Sequence, residues 1–235
     1  MKRSHSLLAL LVAALAASPL LATPLDGRKK DPPKQEKPKP EDKKPVEAAV
    51  KTLAIGTELD PATSLDDCTG QPHLLKRYRG KIVVLDFWST SSATNPQTKR
   101  LMKLSQEFAA KGVVVLAIDS VPGESADPMR VQDALKRSGA SFPVLMDDGG
   151  VLAERMFIKN LDQVVVLDAK GIVRYSGAID DDPKGDKAEK AQVHLAAALT
   201  ALSEGKEVTV PTTAPNGSVL RPHRRKPASS PSGKR

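Results

Sequence analysis

Residues 81–88 (KIVVLDFW) form a β-rich run with one charge in its interior, and they lead directly into STSSATNPQTKRLMKL. An apolar run without polar alternation fits a strand covered on both faces, so this segment belongs at the centre of a sheet. The following stretch, 96–111, places Leu101, Leu104 and Phe108 on one helical face and stops at Gly112. Asn95 followed by Pro96 reads as an N-cap with proline at the first helical position. A buried strand that ends at a helix start gathers free backbone N–H groups and the positive end of the helix dipole at one point. A reactive group is expected there. The turn instead holds Ser91, Ser92, Ala93, Thr94 and Asn95, with no cysteine, histidine or glycine-rich loop.

The remaining elements alternate in type. Strand candidates lie at 53–59 and 63–66, and 74–78 suits one helical turn before Gly80. A second buried strand is predicted at 113–119. Asp127-Pro128 opens a helix to about Ser138. A strand at 142–146 and a short helix at 151–157 follow. Strands at 163–168 and 172–179 are joined by the turn sequence DAKG. A last helix is predicted over 187–203, with Ala191, Leu195, Ala198, Leu199 and Leu202 on one stripe. This order implies an α/β class protein with a central mixed β-sheet flanked by helices.

The two ends differ from this middle. Residues 1–23 carry Lys2 and Arg3, a short apolar stretch and small residues at Ala14, Ala16 and Ala22, the pattern of a secretory signal peptide. The expected destination is extracytoplasmic, periplasmic or secreted, with an uncleaved signal acting as a membrane tether as the alternative. Residues 24–51 are rich in proline, lysine and glutamate and read as a disordered linker. The domain is placed at 52–203, and 204–235 is expected to be a disordered basic tail. The net charge of +8 comes from the ends, because 52–220 holds 19 basic against 22 acidic residues. A basic binding face on the domain is therefore excluded, and with aromatics at 3% no nucleic-acid stacking platform is expected. The tail is a candidate contact for anionic surfaces.

The stretch DCTGQPHLLKRYRGKIVVLDFWST resembles the entry of the extracytoplasmic thioredoxin-like redoxins of the TlpA/ResA and AhpC/TSA type, with Gly70, Leu75, Tyr78, Gly80, Lys81, Phe87 and Trp88 in the matching places. FPVLMDDGGVLAERMFI from Phe142 and VVVLDAKGIVRYSGAI from Val164 are similar to that family too. The resemblance spans about residues 55–202. It implies a thioredoxin fold with an N-terminal hairpin and a central αβ insertion, and thiol–disulfide exchange as the usual activity, some members being peroxidases. That chemistry uses a Cys-x-x-Cys pair at the helix start, where the first thiolate is stabilised and the second cysteine resolves the mixed disulfide.

This chain departs from the pattern at the atoms that react. The family's two cysteines fall on Ser92 and Asn95, and an alcohol and an amide cannot form a disulfide. The family's cis-proline falls on Asp162. A cis bond before a non-proline residue costs about 2.5–4 kcal/mol, so a trans Leu161–Asp162 bond is expected, with a carboxylate set into the substrate-peptide groove. Asp86 matches the buried aspartate that assists the resolving cysteine, and reads either as a carboxyl with a raised pKa beneath the helix start or as a hydrogen-bonded strand-end residue.

Cys68 is the single cysteine and lies in a turn beside Asp66 and Asp67, whose charge raises a thiol pKa. It reads as a buried turn residue, as the link of a dimer, or as a lone reactive thiol. His73, His194 and His223 lack ligand spacing, so no metal site is expected, and no cofactor motif is present. The acidic stretch 179–186 (IDDDPKGD) lacks the EF-hand pattern and reads as a solvated lead-in to a helix. Two functions of different class remain. One is a redox-inactive module that binds a peptide or protein partner at the degenerate groove, as a monomer or a Cys68-linked dimer. The other is an oxidoreductase acting through Cys68.

Overall fold

The computed structural model describes residues 54–187 and 190–221, so the signal, the linker and the tail from 222 onward lie outside the described residues. A hairpin of β1 (Ser64–Asp66) and β2 (Pro72–Leu74) comes first, followed by a 3-10 turn (Leu75–Tyr78) and β3 (Ile82–Trp88). Then come α1 (Pro96–Ala109), β4 (Val113–Asp119), α2 (Pro128–Ser138), β5 (Val144–Met146) and α3 (Val151–Arg155). The chain continues through β6 (Gln163–Leu167), β7 (Val173–Ala178) and α4 (His194–Ser203). The main sheet runs β5-β4-β3-β6-β7, with β4 parallel to β3, β5 parallel to β4, and β6 and β7 antiparallel additions.

This is the thioredoxin fold. The βαβ unit of β3, α1 and β4 is its first half, and the β6–β7 hairpin with α4 is its second. The segment carrying α2 and β5 is the central αβ insertion, and β1–β2 is the N-terminal hairpin. β3 is buried at all seven positions, as the central place requires. Side-chain alternation sends Val84 and Trp88 into a core shared with Leu101, Leu104 and Phe108 of α1 and Leu195 and Leu199 of α4. Val83, Leu85 and Phe87 face a second core closed by Leu152 of α3, Met156 and Leu59. Both faces of β3 are covered, and at its carboxyl end Trp88 and Ser89 are buried too.

The caps read from sequence are formed. The Asn95 side chain accepts from Thr98 N–H at 2.7 Å, and the Asp127 side chain accepts from Arg130 N–H at 3.2 Å. In the DAKG turn the Asp168 carboxylate accepts from the N–H groups of Lys170 and Ile172.

Several expectations are corrected. Residues 54–59 make no strand: Gly56, with φ at +85°, turns the chain, and Glu58 alone bridges Ile172. The last helix begins at His194 rather than at 187. The Asp181 carboxylate and carbonyl-pairing N–H hold Gln192, and the Asp182 carboxylate accepts from Lys187 N–H, which fixes this lead-in as a loop. The lead-in is also not solvated throughout, since Asp180 and Asp182 are buried against α1. Finally, the chain does not become a free tail at 204. Residues 211–220 run back over the end of β7 to the start of β6, bonding to Ser176, Asp180 and 159–161 on the way.

Candidate functional site

The site forms where β3 delivers its chain into α1. Ser89 follows β3 and is buried; its hydroxyl lies 2.6 Å from that of Ser91 and 3.2 Å from that of Ser92. The turn then winds into the helix through Ser92 N–H to Ser89 C=O and Asn95 N–H to Ser92 C=O, at 2.9 and 3.0 Å. Thr98, one turn inside α1, donates its hydroxyl back to Ser92 C=O at 2.8 Å. The turn is therefore fixed from both ends.

Asn95 has a double role. Its Oδ1 caps α1, and its Nδ2 donates to Asp162 Oδ2 at 2.9 Å. The Ser92 hydroxyl, directed at the same carboxyl, helps to hold its pKa down. Asp162 sits at φ +58°, a left-handed conformation that aspartate tolerates better than most residues, and its N–H donates to Phe87 C=O at 2.7 Å. Peptide bonds among the described residues are trans, Leu161–Asp162 included, as the absence of proline predicts. The structure thus gathers Ser92, Asn95, Asp162 and Asp86 at one place.

The electrostatics of that place are set by two buried carboxyls. Burial raises the Asp86 carboxyl well above the ordinary range, and the neighbouring Asp162 charge adds to it. Asp86 Oδ1 has no hydrogen-bond partner among the described residues. Burial also raises Asp162, but the bonds from Ser92 and Asn95 oppose the shift. Both carboxyls are thus raised by burial, and only Asp162 has hydrogen-bond donors that oppose the rise. Of the two readings of Asp86 from sequence, its burial and its unpartnered Oδ1 agree with the raised carboxyl.

Cys68 lies elsewhere. Its N–H donates to Val144 C=O on edge strand β5, and Gln132 donates its side-chain amide to Cys68 C=O. The residue is 3% exposed, and burial, followed by the Asp67 charge, raises its thiol pKa. Asp66 is exposed. His73 is held between the Tyr78 hydroxyl and Asp67 Oδ2, at 2.6 and 3.0 Å. Among the described residues no group of three or more His, Cys, Asp or Glu side chains is arranged to hold a metal.

Sequence reading missed two neighbouring features. One is a further acid cluster on the same sheet edge. Asp119, in register with Trp88, ends β4 fully buried, with Oδ1 accepting from Val121 N–H at 2.9 Å. Asp147 accepts from Ser120 and from the N–H groups of Leu152 and Ala153, while Glu124 accepts from Thr90 N–H. An acid ending a buried strand was the available signal. The other feature is the segment 211–220, whose Gly217 lies against Leu161 C=O and the Cβ of Asp162.

The AhpC/TSA family profile matches residues 57–176. The thiol-disulfide oxidoreductase ResA of Halalkalibacterium halodurans is 28% identical over 108 residues, which is 46% of this chain and 59% of that protein. The thioredoxin-like protein YneN of Bacillus subtilis is 27% identical over 115 residues, 48% of this chain and 66% of that one. The match thus leaves about a third or more of these relatives' own length uncovered. Among solved structures, a hypothetical protein of Sinorhizobium meliloti superposes with a TM-score of 0.63 at 23% identity, covering 73% of this chain and 96% of that one. An uncharacterized conserved protein of Geobacillus kaustophilus gives 0.63 at 22% identity, covering 76% and 95%. At these identities the likeness is one of fold.

Proposed function

This chain belongs to the AhpC/TSA family, and we propose that within it the protein works as a redox-inactive binding module of the cell exterior. The observation that supports this reading is the identity of the groups at the start of α1. Asn95 is tied by a hydrogen bond to Asp162, Ser92 lies beside them, and no sulfur stands among the three. A hydroxyl and an amide offer no thiolate to the helix dipole and no partner for a mixed disulfide. What they offer is a fixed polar cluster, with Ser92 and Asp162 buried and the exposed Ser91 and Thr94 and half-buried Asn95 above them, for recognition of an extended peptide or protein segment. The apolar leader at residues 1–23 supports an extracytoplasmic setting. No described helix is long and apolar enough to cross a membrane.

The thiol at Cys68 fits an oxidoreductase poorly. It is buried, its pKa is raised, and a single cysteine needs an external resolving thiol. The same burial weighs against a Cys68-linked dimer. Full-length protein assayed for insulin reduction and for peroxide consumption should give rates equal to a buffer blank. Turnover above the blank that survives Cys68→Ser would overturn the binding reading in favour of chemistry at the α1 turn. Turnover abolished by Cys68→Ser would instead establish the lone-thiol oxidoreductase. In the affirmative direction, immobilised protein should retain an envelope protein that the Asp162→Lys variant releases.

A further inference from the structure

The segment that follows α4 is placed by main-chain bonds rather than by core packing. Ser176 N–H donates to Pro211 C=O at 3.0 Å, and Thr213 N–H donates to Ser176 C=O at 3.3 Å, so the segment first pairs with the free edge of β7. Thr213 Oγ1 accepts from Ala178 N–H at 2.9 Å and lies 2.6 Å from the Tyr175 hydroxyl. Asn216 Nδ2 then donates to Asp180 C=O at 2.6 Å. At the far end an antiparallel bridge forms between Asn160 and Val219. Leu161 N–H donates to Ser218 C=O at 2.7 Å, Leu220 N–H donates to Lys159 C=O at 2.8 Å, and Asn160 Nδ2 donates to Gly217 C=O at 2.8 Å.

The fit is closest over Asp162. A Cβ on Gly217 would stand 1.8 Å from Leu161 O and 3.3 Å from the Asp162 Cβ, so only glycine lets the segment approach this far. The segment therefore covers the residue that Ser92 and Asn95 address. Yet it buries little apolar surface. Thr212, Ala214 and Ser218 are exposed, Val219 is 74% exposed, and Leu220 alone packs on the second core. Contacts made mainly of edge hydrogen bonds, with little hydrophobic burial, open at lower free energy than a core does.

We propose that residues 212–220 are a displaceable internal ligand, occupying in cis the backbone edge at 159–161 that an extended segment of a partner, with glycine opposite Leu161, takes when the internal one leaves. This inference rests on the binding reading above. Strand addition to a free edge supplies the affinity through main-chain bonds, and the glycine requirement supplies the selectivity. Displacement also uncovers Asp162, linking occupancy of the edge to access to the α1 turn. A groove of about 390 Å³ lined by Phe157, Ile158, Lys159 and Leu220 adjoins the far end and leaves room for a competing chain.

Native-state amide exchange on the full-length protein reads the displacement without any partner. The amides of Leu161 and Leu220 should exchange at least about 100-fold faster than that of Leu85 in β3, through an opening that spares the sheet. Equal rates at all three would show that the segment opens only when the domain unfolds, and would overturn the proposal. In the full-length Gly217→Val variant, protection at Leu161 should fall by about tenfold or more while Leu85 is unchanged. A labelled synthetic peptide of residues 212–221 should bind that variant at least about tenfold more tightly than it binds the native chain. The same peptide with valine at the glycine position should not bind. Equal binding of both peptides, or of the first peptide to both proteins, removes the glycine-gated edge. Should Gly217→Val not fold, the exchange comparison on the native chain decides alone. Thiol turnover would sink the binding reading and leave these exchange results unaffected, so the two failures are separable.

Discussion

Asp180 and Asp182 are buried to the same degree as Asp86 and Asp162, and both pairs lie beside the first turns of α1, but their surroundings differ. Arg100 Nε stands 2.5 Å from Asp180 Oδ2, Arg100 Nη2 stands 3.6 Å from Asp182 Oδ2, and Gln97 donates to Asp180 Oδ1 at 2.8 Å. The pair at Asp86 and Asp162 has only neutral donors, the Asn95 amide and the Ser92 hydroxyl, and no ion-pair partner among the described residues. The guanidinium and the two carboxylates clamp the loop after β7 to α1. Without a cation, burial is relieved by holding a proton. The first pair is matched by a guanidinium, and the second has its carboxyls raised by burial at a site where no thiol is present.

Removing the cation should break the stronger half of this contrast. Arg100→Ala leaves two buried carboxylates unmatched, and truncating one side of a buried ion pair costs about 3–5 kcal/mol. Urea unfolding at neutral pH should show that loss. A loss within the range of a surface pair, below about 1 kcal/mol, would mean the guanidinium is not the clamp.

Asp119 sharpens the other half, because it is another buried acid whose pKa burial raises. Burial pushes its carboxyl up to about 7; Glu124 and Asp147 add to the shift, while the Val121 amide and Arg130 oppose it. The folded state then keeps a proton that the unfolded chain gives up near pH 4. This contribution to stability is full below the unfolded value, declines as pH rises between about 4 and 7, and is level above. The span is at most about 4 kcal/mol for a shift of this size, and solvent reorganisation reduces it. In Asp119→Asn this slope should disappear, so the variant gains on the native protein as pH rises through that window. Parallel stability curves for the two proteins would show that Asp119 does not hold the proton. Asp86→Asn should tilt in the same direction.

How far each pair was legible follows from the range of the forces involved. The strand, the cap and the helix at 81–111 are written locally, in an apolar run, an Asn-Pro step and a 3.6-residue stripe, and each appeared where expected. The grouping of Ser92, Asn95 and Asp162 was legible through the family resemblance, because Asn95 and Asp162 are 67 residues apart and no local pattern connects them. The Arg100 clamp was not legible. The stretch IDDDPKGD has the composition of a solvated loop, and only the fold brings it under α1. The segment 211–220 was lost for a similar reason. It lacks apolar periodicity because main-chain bonds hold it, and such bonds leave little trace in side-chain pattern.

Asn95 carries the smallest effect and separates the two roles of the α1 turn. Asn95→Ala removes the acceptor for Thr98 N–H and the donor to Asp162 together, and loss of an N-cap costs about 1–2 kcal/mol. Asn95→Ser retains a capping oxygen but is too short to reach the carboxyl as the amide does, so it should recover most of that stability. The two variants should nevertheless agree in one respect. Without the Asn95 amide, a bond that opposes the upward shift of Asp162 is gone, so its carboxyl should titrate at higher pH in both, followed by carbon-detected NMR of the side chain. If serine restores both the stability and the native titration, the amide is a cap alone, and the Asp162 environment is set by burial and Ser92.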